Sequence, residues 1–221
     1  MIGAVLFDVD GTLIDSNGLH AAAWQQAFRH FGIDLPFDRI RGQIGKGGDN
    51  LIPALHPKPL VEARQEDIEN FRSELYNRDY LPRAVPFPDV RALFERIVGD
   101  GKRVVLASSA KGAEVDFHLN ITGAADLVTA TTSADDVDRS KPCPDIFEAA
   151  LRKVPPLMAD KVVVVGDSPY DVSAAKALGM KVIGLRCGGF GEGVLRQAGV
   201  DQMFDDPSDL LRRYEASLLA G

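Results

Sequence analysis

Short, unbroken apolar runs recur along the chain at residues 4–7, 103–107, 161–165 and 181–185, with a weaker one at 127–130. Runs of this length without polar alternation read as strands of a parallel sheet buried on both faces. Between them the apolar positions fall three and four apart. Val90, Leu93, Phe94, Ile97 and Val98 form one stripe, Ile146, Phe147, Ala150, Leu151 and Val154 a second, and Val172, Ala175 and Leu178 a third. Each stripe predicts an amphipathic helix. Pro88 suits a first turn, Gly99 and Gly101 supply a stop, and Gly179 ends the third helix. Strand and helix alternate from residue 87 onward. That alternation predicts an α/β fold, an open Rossmann-like parallel sheet with helices on both faces.

Residues 16–82 break the rhythm. A helical pattern covers residues 19–31 and another roughly 60–80, and the Gly-rich segment Gly42-Gln43-Ile44-Gly45-Lys46-Gly47-Gly48 lies between them. This block has no strand run. It reads as a small all-α insertion, residues 16–82, in a core made of residues 1–15 and 83–221. The proline-rich stretch Leu81-Pro82-Arg83-Ala84-Val85-Pro86-Phe87-Pro88 is its return linker.

The candidate chemistry begins where the first run stops, at Phe7-Asp8-Val9-Asp10-Gly11-Thr12-Leu13. Side chains alternate along a strand, so Asp8 and Asp10 project to the same side. Two like charges that close require a cation or a proton on one of them. Taken alone, Asp-x-Asp-Gly also fits a solvated turn. A helix-loop-helix calcium loop fails, because the later oxygen ligands and the closing Glu are missing. Ligands of open α/β sheets sit beyond the C-terminal strand ends. The run at 103–107 ends in Ser108 and Ser109, and that at 161–165 leads to Gly166-Asp167-Ser168-Pro169-Tyr170-Asp171. Lys141, in Ser140-Lys141-Pro142, precedes the helix that starts near Asp145.

Composition narrows the partners. The chain has 221 residues, 45% hydrophobic and 26% charged, with a net charge of -7. It has no basic stripe, which argues against non-specific nucleic-acid binding, so an anionic substrate must be attracted locally. Cys143 and Cys187 are too few for a disulfide framework, and a reducing compartment is the default. The four histidines are scattered, and no Cys/His spacing suggests zinc. About six apolar residues precede Asp8, too few for a signal peptide. No stretch approaches the roughly 20 apolar residues of a membrane span. A cytoplasmic protein is therefore expected, with no membrane partner and an oligomeric state left open.

With these residues in order, the chain resembles a haloacid dehalogenase superfamily phosphatase. The likeness is to the subfamily with a helical cap after the first motif, in the phosphoglycolate phosphatase and β-phosphoglucomutase-like branch. Asp8-Val9-Asp10-Gly11-Thr12-Leu13 matches the first family motif, Ser108 the second, Lys141-Pro142 the third and Gly166-Asp167-Ser168-Pro169-Tyr170-Asp171 the fourth. The resemblance implies a small phosphorylated metabolite as substrate. Asp8 is then the nucleophile that forms an aspartyl-phosphate. Asp10 is the general acid and later base, with a pKa raised toward neutral by anionic neighbours. Mg²⁺ is implied, held by the Asp8 and Asp167 carboxylates and the Asp10 carbonyl, with Asp171 orienting a ligand or water behind it. Lys141 and Ser108 meet the phosphoryl oxygens.

Within the superfamily, Asp10 separates the chain from dehalogenases and phosphonatases. A β-phosphoglucomutase-type mutase is the closer alternative, since His20 and Trp24 lie one helical turn apart, as they do there. The mutases carry a cap arginine for a second phosphate, and here Gly47 stands in its place, which favours a phosphatase. Lys46, His20 and Ser109 are candidate substrate contacts, each with a plain packing or surface alternative. The stretch Gly188-Gly189-Phe190-Gly191-Glu192-Gly193 lacks the Lys-Ser/Thr ending of a nucleotide loop and reads as a strand-to-helix loop. Cap hinges are expected at residues 15–18 and 81–87. A non-catalytic phosphate- and metal-binding regulatory module is the alternative of another class.

Overall fold

A computed structural model describes residues 1–55, 64–154 and 156–220. Its main sheet has six parallel strands: β1 (Ala4–Phe7), β4 (Arg103–Ala107), β5 (Val128–Thr132), β6 (Val162–Gly166), β7 (Lys181–Leu185) and β8 (Gln202–Phe204). They lie in the order β5-β4-β1-β6-β7-β8. A two-stranded antiparallel ribbon joins β2 (Ile14–Asp15) to β3 (Val85–Pro86).

The apolar runs become strands because both faces are covered. All four residues of β1 are buried, and so are all five of the Val-Val-Val-Val-Gly strand β6. Their side chains alternate between two cores. Val5 and Phe7 face one that contains Leu93, Phe94, Ile97, Leu210 and Tyr214. Ala4 and Leu6 face another built on Phe147, Ala150, Val172 and Leu195. The helices supplying these faces are α5 (Val90–Gly99), α6 (Gly112–Thr122), α7 (Asp145–Arg152), α8 (Pro169–Ala177), α9 (Glu192–Ala198) and α10 (Pro207–Arg212).

The expected helices form, with one position corrected. Val98 is 39% exposed, because it sits at the margin of the arc that Val90, Leu93, Phe94 and Ile97 turn inward. Strand β8 was not legible as a strand. Its three residues, led by a glutamine, take their place by pairing with β7 at the sheet edge.

Between the two ribbon strands lie the helices α1 (Asn17–His30), α2 (Phe37–Arg41), α3 (Gly48–Leu55) and α4 (Gln65–Leu75), joined by loops where described, with a π-helical turn at Tyr76–Tyr80 and a 3-10 turn at Leu81–Arg83. Of the helix expected over 60–80, the described part begins at residue 65, and the part of that expectation on residues 60–63 lies outside the described residues. This segment has its own apolar cluster, with Trp24, Phe28, Ile40, Leu51, Ile52 and Ile68 at its centre. Among the described residues, no helix is long and apolar enough to cross a membrane.

Candidate active site

Strand β1 is central, so its end is flanked by the ends of β4 and β6. Phe7 is in register with both Leu106 and Val165. Neighbouring strands lie about 4.8 Å apart, and the residues just past each end therefore meet. The pairing runs on past the strands, as the Asp8 N–H donates to the Val165 carbonyl at 2.9 Å and the Ser108 N–H to the Thr132 carbonyl at 3.0 Å.

Asp8, Asp167 and Asp171 are buried together, and one oxygen from each lies within 4.8 Å of the others. Lys141 is fully buried. Its Nζ is 2.5 Å from Asp8 Oδ1 and 2.7 Å from Asp171 Oδ1, and it donates to the Ala107 carbonyl at 3.0 Å. Burial works to discharge this lysine, but Asp171 and Asp8 outweigh it and keep the ammonium. One ammonium among three carboxylates leaves an excess of negative charge. Accordingly, burial pushes the Asp8 carboxyl up to about 7, with Lys141 opposing and Asp171 and Asp10 adding to the rise. Burial, Asp8 and Asp171 likewise hold Asp167 well above the ordinary carboxylate range. Oxygen ligands in this number, destabilised by one another, suit a hard divalent cation.

Local sequence explains the placement. Ser168 caps helix α8 in a reciprocal box with Asp171, whose Oδ2 accepts the Ser168 hydroxyl at 2.6 Å, so Asp171 presents Oδ1 to Lys141. Thr12 Oγ1 lies 3.3 Å from both Asp8 Oδ2 and Asp167 Oδ1. Asn17, at the start of α1, donates to Asp167 Oδ2 at 2.8 Å and to the Gly188 carbonyl at 3.0 Å. Gly188 needs to be glycine here, since a Cβ at that position would lie 1.7 Å from Asp167 Oδ2.

Asp10 departs from expectation. Its neighbours are not chiefly anionic: Oδ1 accepts from Ser16 Oγ at 2.5 Å, lies 2.9 Å from His20 Nε2, and is 3.6 Å from His118 Nδ1. Burial works to raise its pKa, but His20, His118 and Ser16 outweigh it and hold the carboxyl below the usual range. The Arg72 guanidinium bonds His20 Nδ1. Arginine can only donate, so Nδ1 accepts and Nε2 carries the proton given to Asp10. Burial lowers the His20 pKa to about 4 despite Asp10. The ring is then neutral near pH 7, and its Nε2–H still donates to Asp10. Glu114 is 3.3 Å from His20 Nε2, and its burial pushes it up to about 8.

Asp8, Asp10, His20, Lys46, Arg72, Ser109 and Glu114 line one cleft of about 480 Å³ under the helical segment. Ser108 sits behind it, fully buried, with its Oγ accepting the Ala110 N–H at 3.0 Å. Lys46 bonds Gln43 Oε1 at 2.6 Å and lies over the Tyr170 ring, 4.6 Å from its centroid. Sequence reasoning gave no role to Thr12, Asn17, Arg72, Glu114 or His118. Thr12 lies inside the first motif and could have been found there. The others arrive from three helices, Asn17 on α1, Arg72 on α4, and Glu114 and His118 one turn apart on α6, and nothing in the sequence ties these helices to the site.

The geometry has a counterpart among known proteins. A model of haloacid dehalogenase-like hydrolases matches residues 5–185. The chain belongs to that family. It is 30% identical over 202 residues to a phosphoglycolate phosphatase of Yersinia pseudotuberculosis, covering 87% of this chain and 85% of that one. It is also 30% identical over 209 residues to the chloroplastic protein SUPPRESSOR OF QUENCHING 1 of Arabidopsis thaliana, covering 93% of this chain but only 20% of that longer protein. The crystal structure of a hydrolase from Pseudomonas syringae superposes with a TM-score of 0.89 at 28% identity, covering 97% of this chain and 98% of the other.

Proposed function

We propose that the protein is a Mg²⁺-dependent phosphatase acting on a small phosphorylated metabolite. The observation that carries this reading is the Asp8 carboxylate, paired with buried Lys141 and grouped with Asp167 and Asp171 at the floor of a cleft. The phosphoglycolate phosphatase among the relatives supports a phosphorylated small acid or sugar as the substrate class. Residues 16–82 act as a cap over the cleft, with the ribbon of Ile14–Asp15 and Val85–Pro86 as its two hinges. A cytoplasmic setting belongs to the same reading, since Cys143 and Cys187 are both free thiols.

In this mechanism an Asp8 carboxylate oxygen forms a bond to phosphorus while the bond from phosphorus to the leaving oxygen breaks. Asp10 gives its proton to the departing alkoxide and then takes one from the water that cleaves the aspartyl-phosphate, which frees Asp8. At rest Asp10 is anionic, held so by Ser16 and His20. A dianionic phosphate arriving beside it raises its affinity for a proton, which Asp10 takes up from solvent as the substrate binds and then passes to the leaving oxygen. Lys141 holds Asp8 ionised against burial and offsets charge that builds on the phosphoryl oxygens. Asp8, Asp167 and the Asp10 carbonyl would hold Mg²⁺, which would supply further charge neutralisation at the phosphoryl group. Ser109, which lines the cleft, forms the donor side of the site, and Ser108 supports it from behind by holding the Ala110 N–H.

A mutase must hold a second phosphate, and Gly47 disfavours that reading. A Cβ at Gly47 would lie 2.7 Å from Ser140 Cβ, so a long cationic side chain does not fit there in this arrangement. The test is turnover of an aryl phosphate with Mg²⁺, beside Asp8→Asn. Activity in the wild type and its loss in the variant are expected. No turnover in either protein would instead indicate a non-catalytic phosphate-binding module.

A further inference from the structure

The loop that carries Lys141 is bonded, one residue earlier, to the helical segment. Asp49 and Asn50, in the first turn of α3, grip Ser140 from three directions. The Ser140 hydroxyl donates to Asp49 Oδ1 at 2.5 Å, and its N–H donates to Asp49 Oδ2 at 3.1 Å. Asn50 Nδ2 lies 3.0 Å from Ser140 Oγ, donates to its carbonyl at 3.1 Å, and lies 3.5 Å from the Lys141 carbonyl. The Gly47 N–H adds a donor to Ser140 Oγ at 3.0 Å. Both glycines at the start of this turn are tightly enclosed, since a Cβ at Gly47 would meet Asp49 and Ser140 and one at Gly48 would meet Glu69, all within 3 Å. The segment therefore approaches the Lys141 loop at backbone distance.

We propose that Asp49 and Asn50 are positioning residues that set Lys141 against Asp8 when the helical segment is seated, so that closure over the substrate and assembly of the catalytic pair are one event. The inference rests on the phosphatase reading above. Its physical basis is the shortness of the path. Ser140 and Lys141 are consecutive, so fixing the Ser140 N–H, hydroxyl and carbonyl fixes the peptide plane from which the Lys141 side chain leaves. Lys141 in turn contacts Asp8 and Asp171 with no solvent between, and that geometry tolerates little displacement. With the helical segment lifted away, Ser140 loses its side-chain partners from Asp49 and Asn50 together, and the loop keeps its own turn, the Arg139–Asp145 ion pair and the contacts of Lys141.

The experiment compares wild type, Asn50→Ala, Ser140→Ala and the double variant, using an aryl phosphate and Mg²⁺. An aryl phosphate does not depend on cap contacts to its leaving group. A misplacement of about 1 Å can cost on the order of 100-fold in rate, so kcat is expected to fall about 10- to 100-fold in each single variant. KM should stay within about twofold and the melting temperature should hardly change. The double variant should be no slower than the worse single one, because both remove the same link. Asp49→Asn keeps the shape and one acceptor, and is expected to recover part of the rate relative to Asp49→Ala. If a variant does not melt cooperatively, Asn50→Gln and Asp49→Asn carry the same comparison. The proposal is overturned if kcat stays within about twofold of wild type, if only KM rises, or if the two single effects multiply. Wild-type turnover separates the two levels of the argument. Its absence removes the phosphatase reading and this inference with it, whereas normal turnover with unaffected variants removes the inference alone.

Discussion

Replacing Lys141 with methionine tests the electrostatic core of the site, because it removes the ammonium while keeping a long side chain. The packing partner is Phe147, whose ring centroid lies 5.2 Å from Nζ, and a thioether fills that space without charge. What is lost is the cation shared by Asp8 and Asp171. Removing one partner of a buried ion pair typically costs about 3–5 kcal/mol, since the other charge stays buried and uncompensated. Two acids are stranded here, so the upper part of that range is expected near pH 8. The loss should depend on pH in a stated direction. Asp8 already sits at about 7 in the folded protein against an ordinary 3.8, and Lys141 is what holds it down. An acid whose folded pKa lies above its unfolded value takes up protons on folding, so stability falls as pH rises between the two. In Lys141→Met the folded value moves higher, and the fall extends to higher pH. At about pH 5 Asp8 is protonated in the folded protein, so its share of the deficit disappears and the loss should be clearly smaller than near pH 8. At roughly 2–4 °C per kcal/mol for a chain of this size, the melting temperature near pH 8 should drop by about 8–20 °C. Thermal or urea unfolding in chelator at both pH values is the assay. Adding Asp8→Asn to Lys141→Met should restore part of the loss. An equal loss at both pH values, or one under about 1 kcal/mol near pH 8, would refute the claim that Lys141 neutralises buried carboxylates.

Chelated wild type should itself be more stable at about pH 5 than at about pH 8, because Asp8 and Asp167 both carry raised folded pKa values whose protons are lost as pH rises. Added Mg²⁺ should raise the melting temperature and flatten that slope, and identical melting curves with and without the ion would count against a cation site. Gly188→Ala should displace the Asp167 carboxylate, since its new methyl would sit 1.7 Å from Oδ2. The expected readout is at least a tenfold rise in the Mg²⁺ concentration needed for half-maximal activity, in line with losses seen when supports of ligating groups are removed, and an unchanged metal requirement would contradict it.

Much of the framework could be read from the chain because it rests on local patterns. An apolar run followed by an acid or hydroxyl marks a strand end, and in a parallel sheet adjacent ends meet, which is why Asp8 and Asp167 come together as expected. Lys141 stands out in the sequence as a polar residue just before a helix, but its place beside Asp8 follows only from the family resemblance, because it reaches the site through the fold. The electrostatics around Asp10 were not legible. The pattern Asp-x-Asp suggested mutual repulsion, yet Asp10 turns to Ser16, His20 and His118, which lie on the loop, α1 and α6. Pairings of this kind depend on how helices pack, and no spacing in the sequence encodes them. The same holds for Asp49 and Asn50, which lie about 90 residues from Ser140 along the chain. Ser108 shows the reverse limit. Its position at the end of β4 was expected, but its hydroxyl is engaged behind the cleft, and Ser109 is the serine at the surface.

The chain crosses between its two parts at Ile14–Asp15 and at Val85–Pro86, and these crossings pair with each other residue by residue. Everything between them is thus spliced in at a single doorway whose jambs are already fastened together. On the cap reading proposed above, a foreign lid whose ends bridge that doorway is exchangeable for residues 16–82 without re-threading the sheet. Selectivity and bond-breaking chemistry would then be separable by recombination at two junctions.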